Sequence, residues 1–170
     1  MKDQILIKNI KSQILASLYM LKSCIDRCPD SEWHERHNDY PFSQIVVHTL
    51  FDCDFILCDS EKELKEQKYH KDNKVLFSDY EELKDRIPSK QYERSIVNQY
   101  YEFCISKVES IPNNKKNLIK PKSDITKTMT KIERYINGIR HIQHHAAQLG
   151  FQLQQLTGKE MEWIGRGTSE

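Results

Sequence analysis

The sequence predicts an all-α protein, and we expect a four-helix bundle with one long crossover connection. The 170 residues include only five glycines and five prolines, fewer chain breaks than many short strands would need. Four long segments carry apolar residues at spacings of three and four, the period of an amphipathic helix. Such segments joined by polar loops are typical of a helical bundle. An irregular all-α fold built from the same helices is the alternative.

The first two predicted helices lie in the N-terminal third of the chain. The first follows Asp3, a suitable N-cap, and its apolar residues recur with the helical period until Cys28. The second has Ser43 as its expected cap and fades into a charged stretch near Glu61. It is apolar around most of its circumference, which indicates a largely buried helix. Residues 30–41 between the two helices are expected to form an ordered loop.

The third long helix is predicted from Pro88 to Ile111, where Pro112 stops it. Its expected inner face consists of large apolar and aromatic side chains, namely Tyr92, Ile96, Tyr100, Phe103 and Val108. A capping-box pattern also predicts a short helix over residues 79–86. Residues 113–122 are rich in Asn, Lys and Pro, show no helical period, and are long enough for the crossover.

The last predicted helix starts somewhere between Ser123 and Thr130. Thr130 and Glu133 form a capping-box pattern near its start. Thr157 and Gly158 are typical of its C-terminal end, where a glycine adopts a left-handed conformation. The segment that follows carries Met161 and Trp163, which we expect to pack back on the bundle.

Composition restricts the class of protein. Charged residues make up 30% of the chain and the formal net charge is +1, so nothing demands a nucleic-acid partner. No apolar run approaches the roughly 20 residues that cross a bilayer, so we expect no membrane span. The five cysteines are expected to be reduced thiols of a cytoplasmic protein. We expect a single domain over residues 1–170.

A histidine pair on the last helix is the first candidate functional feature. His141 and His145 are four residues apart, so they lie one turn above each other on one helix face. Two imidazoles in this arrangement can bind one metal ion. Such a pair also occurs without a metal, so a third ligand is needed to favour a site. His144 points in a different direction and is a candidate for proton management at the rim.

The second helix supplies a candidate third ligand. His48 lies within an unusually apolar stretch, where an unpaired imidazole would cost free energy. If the bundle brings this helix beside the last one, His48 would face the pair. Asp52 follows one turn later and is expected to orient a ligand or manage protons, or else to be an acid on the helix surface. His34, His37 and His70 are expected to be solvated or loop-packing residues.

At these residues the chain resembles the DinB-like superfamily, metal-binding four-helix bundles that include the YfiT-like proteins. Three segments carry the resemblance, residues 28–33, 42–50 and 141–149, in matching order and spacing. The resemblance implies a bundle with a crossover and a metal site whose ligands correspond to His48, His141 and His145. Nickel, zinc, manganese or iron are the implied metals. The DinB-like family frequently has Arg or Gly at the position of Ala147. This difference affects an expected substrate contact and does not affect the metal ligands.

Three classes of function follow from an open three-histidine site. Related DinB-like branches resemble S-transferases or isomerases that use low-molecular-weight thiols, so we expect a metal-dependent thiol S-transferase acting on a small-molecule substrate. A metal-dependent hydrolase is the second hypothesis. The third is a non-catalytic, metal-binding stress-response protein, in which a homodimer would use residues 33–42 and Trp163 as its contact surface. Intramolecular packing of those aromatic residues is the preferred explanation.

Overall fold

The computed structural model describes residues 2–36, 40–66, 69, 92–112, 118 and 129–167. These residues form α1 (Lys2–Arg27), α2 (Phe42–Leu57), α3 (Glu61–Glu66), α4 (Arg94–Glu109) and α5 (Lys131–Thr157), with a 3-10 turn at Asp30–Glu32. The described part is mostly helical and contains no strand, which confirms the all-α prediction. The expected helix over residues 79–86 and most of the expected loop 113–122 lie outside the described residues.

The four long helices pack in the pairs α1 with α5, α5 with α2, α2 with α4, and α4 with α1. Their apolar faces share one buried core cluster. α1 runs in the same direction as α5, because Ser17 bonds Gln143 and Cys24 contacts the carbonyl of Ala146. α2 runs opposite to α5. None of the helices among the described residues combines the length and apolar composition that a bilayer crossing requires.

The predicted caps of the first two helices are wrong by one or two residues. α1 begins at Lys2, so Asp3 lies inside it. α2 begins at Phe42 with Pro41 as its N-cap, and Ser43 lies in the first turn. The proline is extended, with φ −60° and ψ 151°, and its carbonyl accepts the first helical bonds from residues 44 and 45. Its ring fixes φ, so the helix begins directly after it.

The boundaries of α5 are confirmed. The Thr130 hydroxyl accepts from the backbone N–H of Glu133 at 3.3 Å, as a capping box requires. Gly158 ends the helix with φ 69°, where a side chain would be strained. Both signals are local in sequence, which explains why they could be predicted.

The predicted inner face of α4 is partly wrong. The described helix starts at Arg94, and residues 88–91 lie outside the described part. Tyr100 and Val108 are buried as expected, but Ile96 and Phe103 are half-buried. Val97 and Cys104, each one position further along the chain, are buried in their place, and Tyr101 is buried in addition.

The aromatic residues of the first loop pack inside the molecule. Trp33 is 4% exposed, and its indole N–H donates to the carbonyl of Tyr92 at 2.6 Å. The Arg94 guanidinium lies over the same ring, 4.5 Å from its centroid. Intramolecular packing is therefore confirmed for this loop. For Trp163 the prediction of intramolecular packing is wrong, because this residue is 73% exposed.

The segment after α5 packs back along α1, as expected. Arg27 donates to the carbonyls of Lys159 and Glu160, and the Gly167 N–H donates to the carbonyl of Ser12. Met161 packs against the core. We call residues 159–167 the C-terminal strap.

Candidate metal centre

Three histidines from two helices meet at one point, as the sequence predicted. His48 comes from α2, and His141 and His145 come from α5. One ligand atom from each lies within 4.8 Å of the others, so the group can hold a metal ion. The ring of His48 has its centroid 5.0 Å from each of the other two, and those two are 4.6 Å apart.

The closest edge of this triangle has the dimensions of a metal site. The Nε2 atoms of His48 and His141 are 3.2 Å apart. Two imidazole nitrogens that each lie 2.0–2.1 Å from a tetrahedral ion are separated by about 3.3 Å. These two rings therefore need almost no movement to share one ion.

Close packing of α2 against α5 brings the rings together. Ile56 on α2 lies directly over Gly138 on α5, one turn before His141. A Cβ atom added at Gly138 would lie 1.9 Å from Cδ1 of Ile56. The absence of a side chain at this position therefore lets the two helices approach beside the site.

Asp52 lies against His141 rather than against its helical neighbour His48. Its Oδ2 atom is 3.1 Å from Nδ1 of His141, and the other ring nitrogen, Nε2, faces His48. Both facing atoms are buried. Neither makes a hydrogen bond among the described residues, either to the other atom or to a third residue. A carboxylate behind a ligating imidazole is a common arrangement in metal sites, so the pair fits a bound ion. Asp52 of α2 therefore faces a candidate ligand of α5, and its role in orienting that ligand stays a prediction.

The third ring has a partner that the sequence analysis missed. Nδ1 of His145 is 3.0 Å from Oε1 of Gln148, and the ring nitrogen is the donor. Gln148 follows His145 by three residues, a spacing that places two side chains on the same helix face. That spacing could have identified the partner. His144 lies at the exposed edge, with its ring 4.9 Å from that of His145 and outside the group of three.

Burial keeps two of the rings uncharged. Burial, with a smaller effect from the neighbouring His145 and His141, lowers the pKa of His48 to about 3. It lowers the pKa of His145 to about 4, although the bond to Gln148 acts in the opposite direction. Neutral imidazole is the form that binds metals. Both rings are therefore in the ligating form at neutral pH.

No family model, curated protein or solved structure matches this chain. The likeness to DinB-like proteins therefore stays a prediction from three short segments. The position of the three histidines is an independent observation, because it comes from the packing of α2 and α5.

Among the described residues, His34 and the cysteines lie outside the group of three. His34 is exposed and its Nδ1 lies 3.1 Å from the Ser43 hydroxyl. His37 and His70 lie outside the described residues. All five cysteines are buried free thiols, and none belongs to the group of possible ligands.

Proposed function

We propose that this protein is a metal-dependent enzyme that transfers a low-molecular-weight thiol to a small electrophilic substrate. His48, His141 and His145 would hold one divalent transition metal, for which nickel, zinc, manganese and iron are the candidates. The observation that carries the proposal is a group of three ligands without a fourth among the described residues. Structural zinc sites have four protein ligands, whereas catalytic sites have three and leave room for another molecule.

The chain's own residues would prepare the site in two ways. The rings of the half-buried His48 and the buried His145 are neutral, so they would bind an ion without first losing protons. Asp52 would orient His141 through its Nδ1 atom. A bound divalent ion would supply Lewis acidity, which lowers the pKa of a coordinated thiol or water.

The position of Asp52 favours a thiol over water as the nucleophile. Its carboxylate faces His141, so it is not directed at the open side of the site as a general base. An ordinary thiol has a pKa of about 8.5, against about 15.7 for water, and needs less assistance to ionise. In the overall reaction an S–C bond forms and the leaving group departs with its electron pair. The thiol proton passes to solvent past the exposed His144.

We also infer that the four long helices form a DinB-like bundle with a crossover. The cyclic order of the four packed pairs supports a bundle. The directions of α2 and α4 support the crossover, because Leu50 contacts Cys104 while Cys58 contacts Lys107, so the two helices run parallel. Parallel neighbours need a connection that returns along the bundle.

A turnover assay with metal and thiol supplied tests the function. The protein would be loaded in turn with zinc, nickel, manganese and iron, then given a chlorinated nitroarene and a panel of small thiols. We expect thiol conjugation by the wild type and at least a hundredfold loss in His48→Ala. His34→Ala is the matched control, since this exposed histidine lies outside the site, and it should retain full activity.

Three outcomes would contradict the proposal. Equal conjugation by wild type and His48→Ala would reject the site as the origin of the reaction. Ester hydrolysis that needs metal but no thiol would identify a hydrolase instead. Stable metal retention without turnover of any substrate would indicate a metal-binding protein that is not an enzyme.

A further inference from the structure

We propose that Gln148 is a positioning residue that holds His145 with its Nδ1 protonated and its Nε2 directed to the metal. This inference deepens the proposed function and depends on it for the presence of the ion. The hydrogen bond on which it is based belongs to the protein alone. It can therefore be tested with and without metal.

The direction of this hydrogen bond follows from the amide atom that faces the ring. Oε1 of an amide is an acceptor, so the ring nitrogen 3.0 Å away must carry the proton. A neutral imidazole has one N–H, and the other nitrogen then keeps its lone pair. Fixing Nδ1 as the donor therefore makes Nε2 the ligand atom of His145.

Burial makes this choice of tautomer matter. His145 is only 6% exposed, so its ring has little room to exchange protons with water or to rotate. Gln148 is exposed, and its side chain reaches the ring from the solvent side. The amide thus restrains the ring of a candidate ligand through its Nδ1 atom.

The two ligands on α5 have partners of different charge. His141 faces the carboxylate of Asp52, whereas His145 faces a neutral amide. A carboxylate partner increases the basicity of an imidazole ligand, and an amide orients the ring with a smaller effect on basicity. Gln148→Glu should therefore keep the orientation and strengthen the ligand.

Zinc affinity, measured by competition with a chromogenic chelator, gives the first test. Gln148→Met keeps the length of the side chain and removes the acceptor, and we expect about 10- to 100-fold weaker binding. Gln148→Glu should bind at least as tightly as wild type. Gln155→Met is the matched control, because it makes the same change at an exposed position of α5, and it should leave the affinity unchanged.

The tautomer of His145 in the metal-free protein gives the second test. Long-range ¹H–¹⁵N correlation spectra at pH 7.5 distinguish a protonated Nδ1 from a protonated Nε2. We expect protonated Nδ1 in the wild type and in Gln155→Met, and a shift toward Nε2 in Gln148→Met. An unchanged tautomer in Gln148→Met, or unchanged zinc affinity there, overturns the inference. If the wild type binds no metal, the proposed function fails, and the spectra alone decide the role of Gln148.

Discussion

Two of the site histidines are ordinary side chains in an unusual environment. His48 and His145 lie where charge is poorly solvated, and burial lowers their pKa to about 3 and about 4. In the unfolded chain the same rings would take up a proton near pH 6.5. Between these values the unfolded state binds more protons than the folded state, so acid must destabilise the fold.

This difference predicts the pH dependence of stability in the metal-free protein. The two neutral rings make their full contribution to the free energy of unfolding above about pH 7. This contribution begins to fall as pH drops through about 6.5, and it levels off below the pKa values of the folded state. Urea midpoints in EDTA should therefore fall between pH 7.5 and pH 4.5. The fall should be smaller in the double variant His48→Asn/His145→Asn. His144→Asn, at the exposed edge, should behave like wild type, and identical pH profiles for all three proteins would refute this account.

A single change at Asp52 should separate orientation from ligation. Asp52→Asn keeps the shape of the side chain but removes the charge that faces Nδ1 of His141. We expect about 10- to 100-fold weaker zinc binding while the three ligands remain present. The exposed Asp26→Asn is a suitable control. Equal affinities in a chelator competition would show that the carboxylate plays no part in binding.

The sequence could predict the ligands but not all of their partners. The spacing of His141 and His145 is a property of a single helix and needs no tertiary information. The role of Asp52 depends on how α2 and α5 are aligned, since its partner His141 is 89 positions away in the chain. The spacing of His145 and Gln148 also places both side chains on one helix face. However, the sequence does not distinguish this glutamine from an ordinary glutamine on a helix surface.

At the scale of the helices, the approach of α2 to α5 depends on one missing side chain. Ile56 occupies the space above Gly138, beside the turn that carries His141. Alanine normally favours a helix interior by about 1 kcal/mol over glycine. Here the added methyl group must displace Ile56, which is 4% exposed and has little freedom to move.

A double variant should reveal this contact. Gly138→Ala alone should lower the free energy of unfolding by about 1–3 kcal/mol, as overpacked core positions do, and should weaken zinc binding. Ile56→Val removes the conflicting Cδ1 atom and alone should cost about 0.5–1.5 kcal/mol. The pair together should be more stable than Gly138→Ala, as measured by urea unfolding. Strict additivity of the two changes would mean that the contact does not matter.

Helix boundaries were predictable where the signal was local. The cap at Thr130 and the glycine at position 158 act through neighbouring residues, and both were confirmed. Ser43 was a plausible cap by type, but Pro41 determines where α2 begins. The inner face of α4 was partly wrong because apolar residues such as Ile96 and Val97 are adjacent, and only the neighbouring helices decide which of them is buried.

At the scale of the whole molecule, the ligands join segments that are far apart in sequence. His48 and His141 are separated by 93 residues, and they lie on different helices. The unfolded chain does not hold such distant imidazoles together, so an ion that binds them binds the folded state preferentially. Metal binding should therefore appear as increased stability of the entire fold.

Thermal unfolding measures this coupling. With free zinc at a hundred times its dissociation constant, the folded state gains about 2.7 kcal/mol. For a chain of this size that corresponds to a rise in Tm of about 5–11 °C. His145→Asn should abolish the rise while retaining the helical circular dichroism of the wild type. The same rise in that variant would mean that the ion binds elsewhere.

Which helices are neighbours was the part of the fold that periodicity could not decide. The apolar stripes predicted that helices bury one face, but a stripe does not identify its partner. The placement of α2 beside α5 was expected only from the polarity of His48 and the histidine pair. In the structure it follows from the complementary shapes of Ile56 and Gly138 and from the shared core.

The C-terminal strap has a consequence for chemical labelling. Met161 covers Cys24, with the two sulfur atoms 2.8 Å apart, and burial raises the pKa of this thiol to about 12. Cys24 is fully buried, so a maleimide reaches it only when an opening uncovers the thiol, and Met161 is one of the groups that cover it. The labelling rate of Cys24, followed by mass spectrometry of its peptide, should therefore increase strongly in Met161→Ala. In the wild type the same rate reports how often the contact between α1, α5 and the strap opens at Cys24.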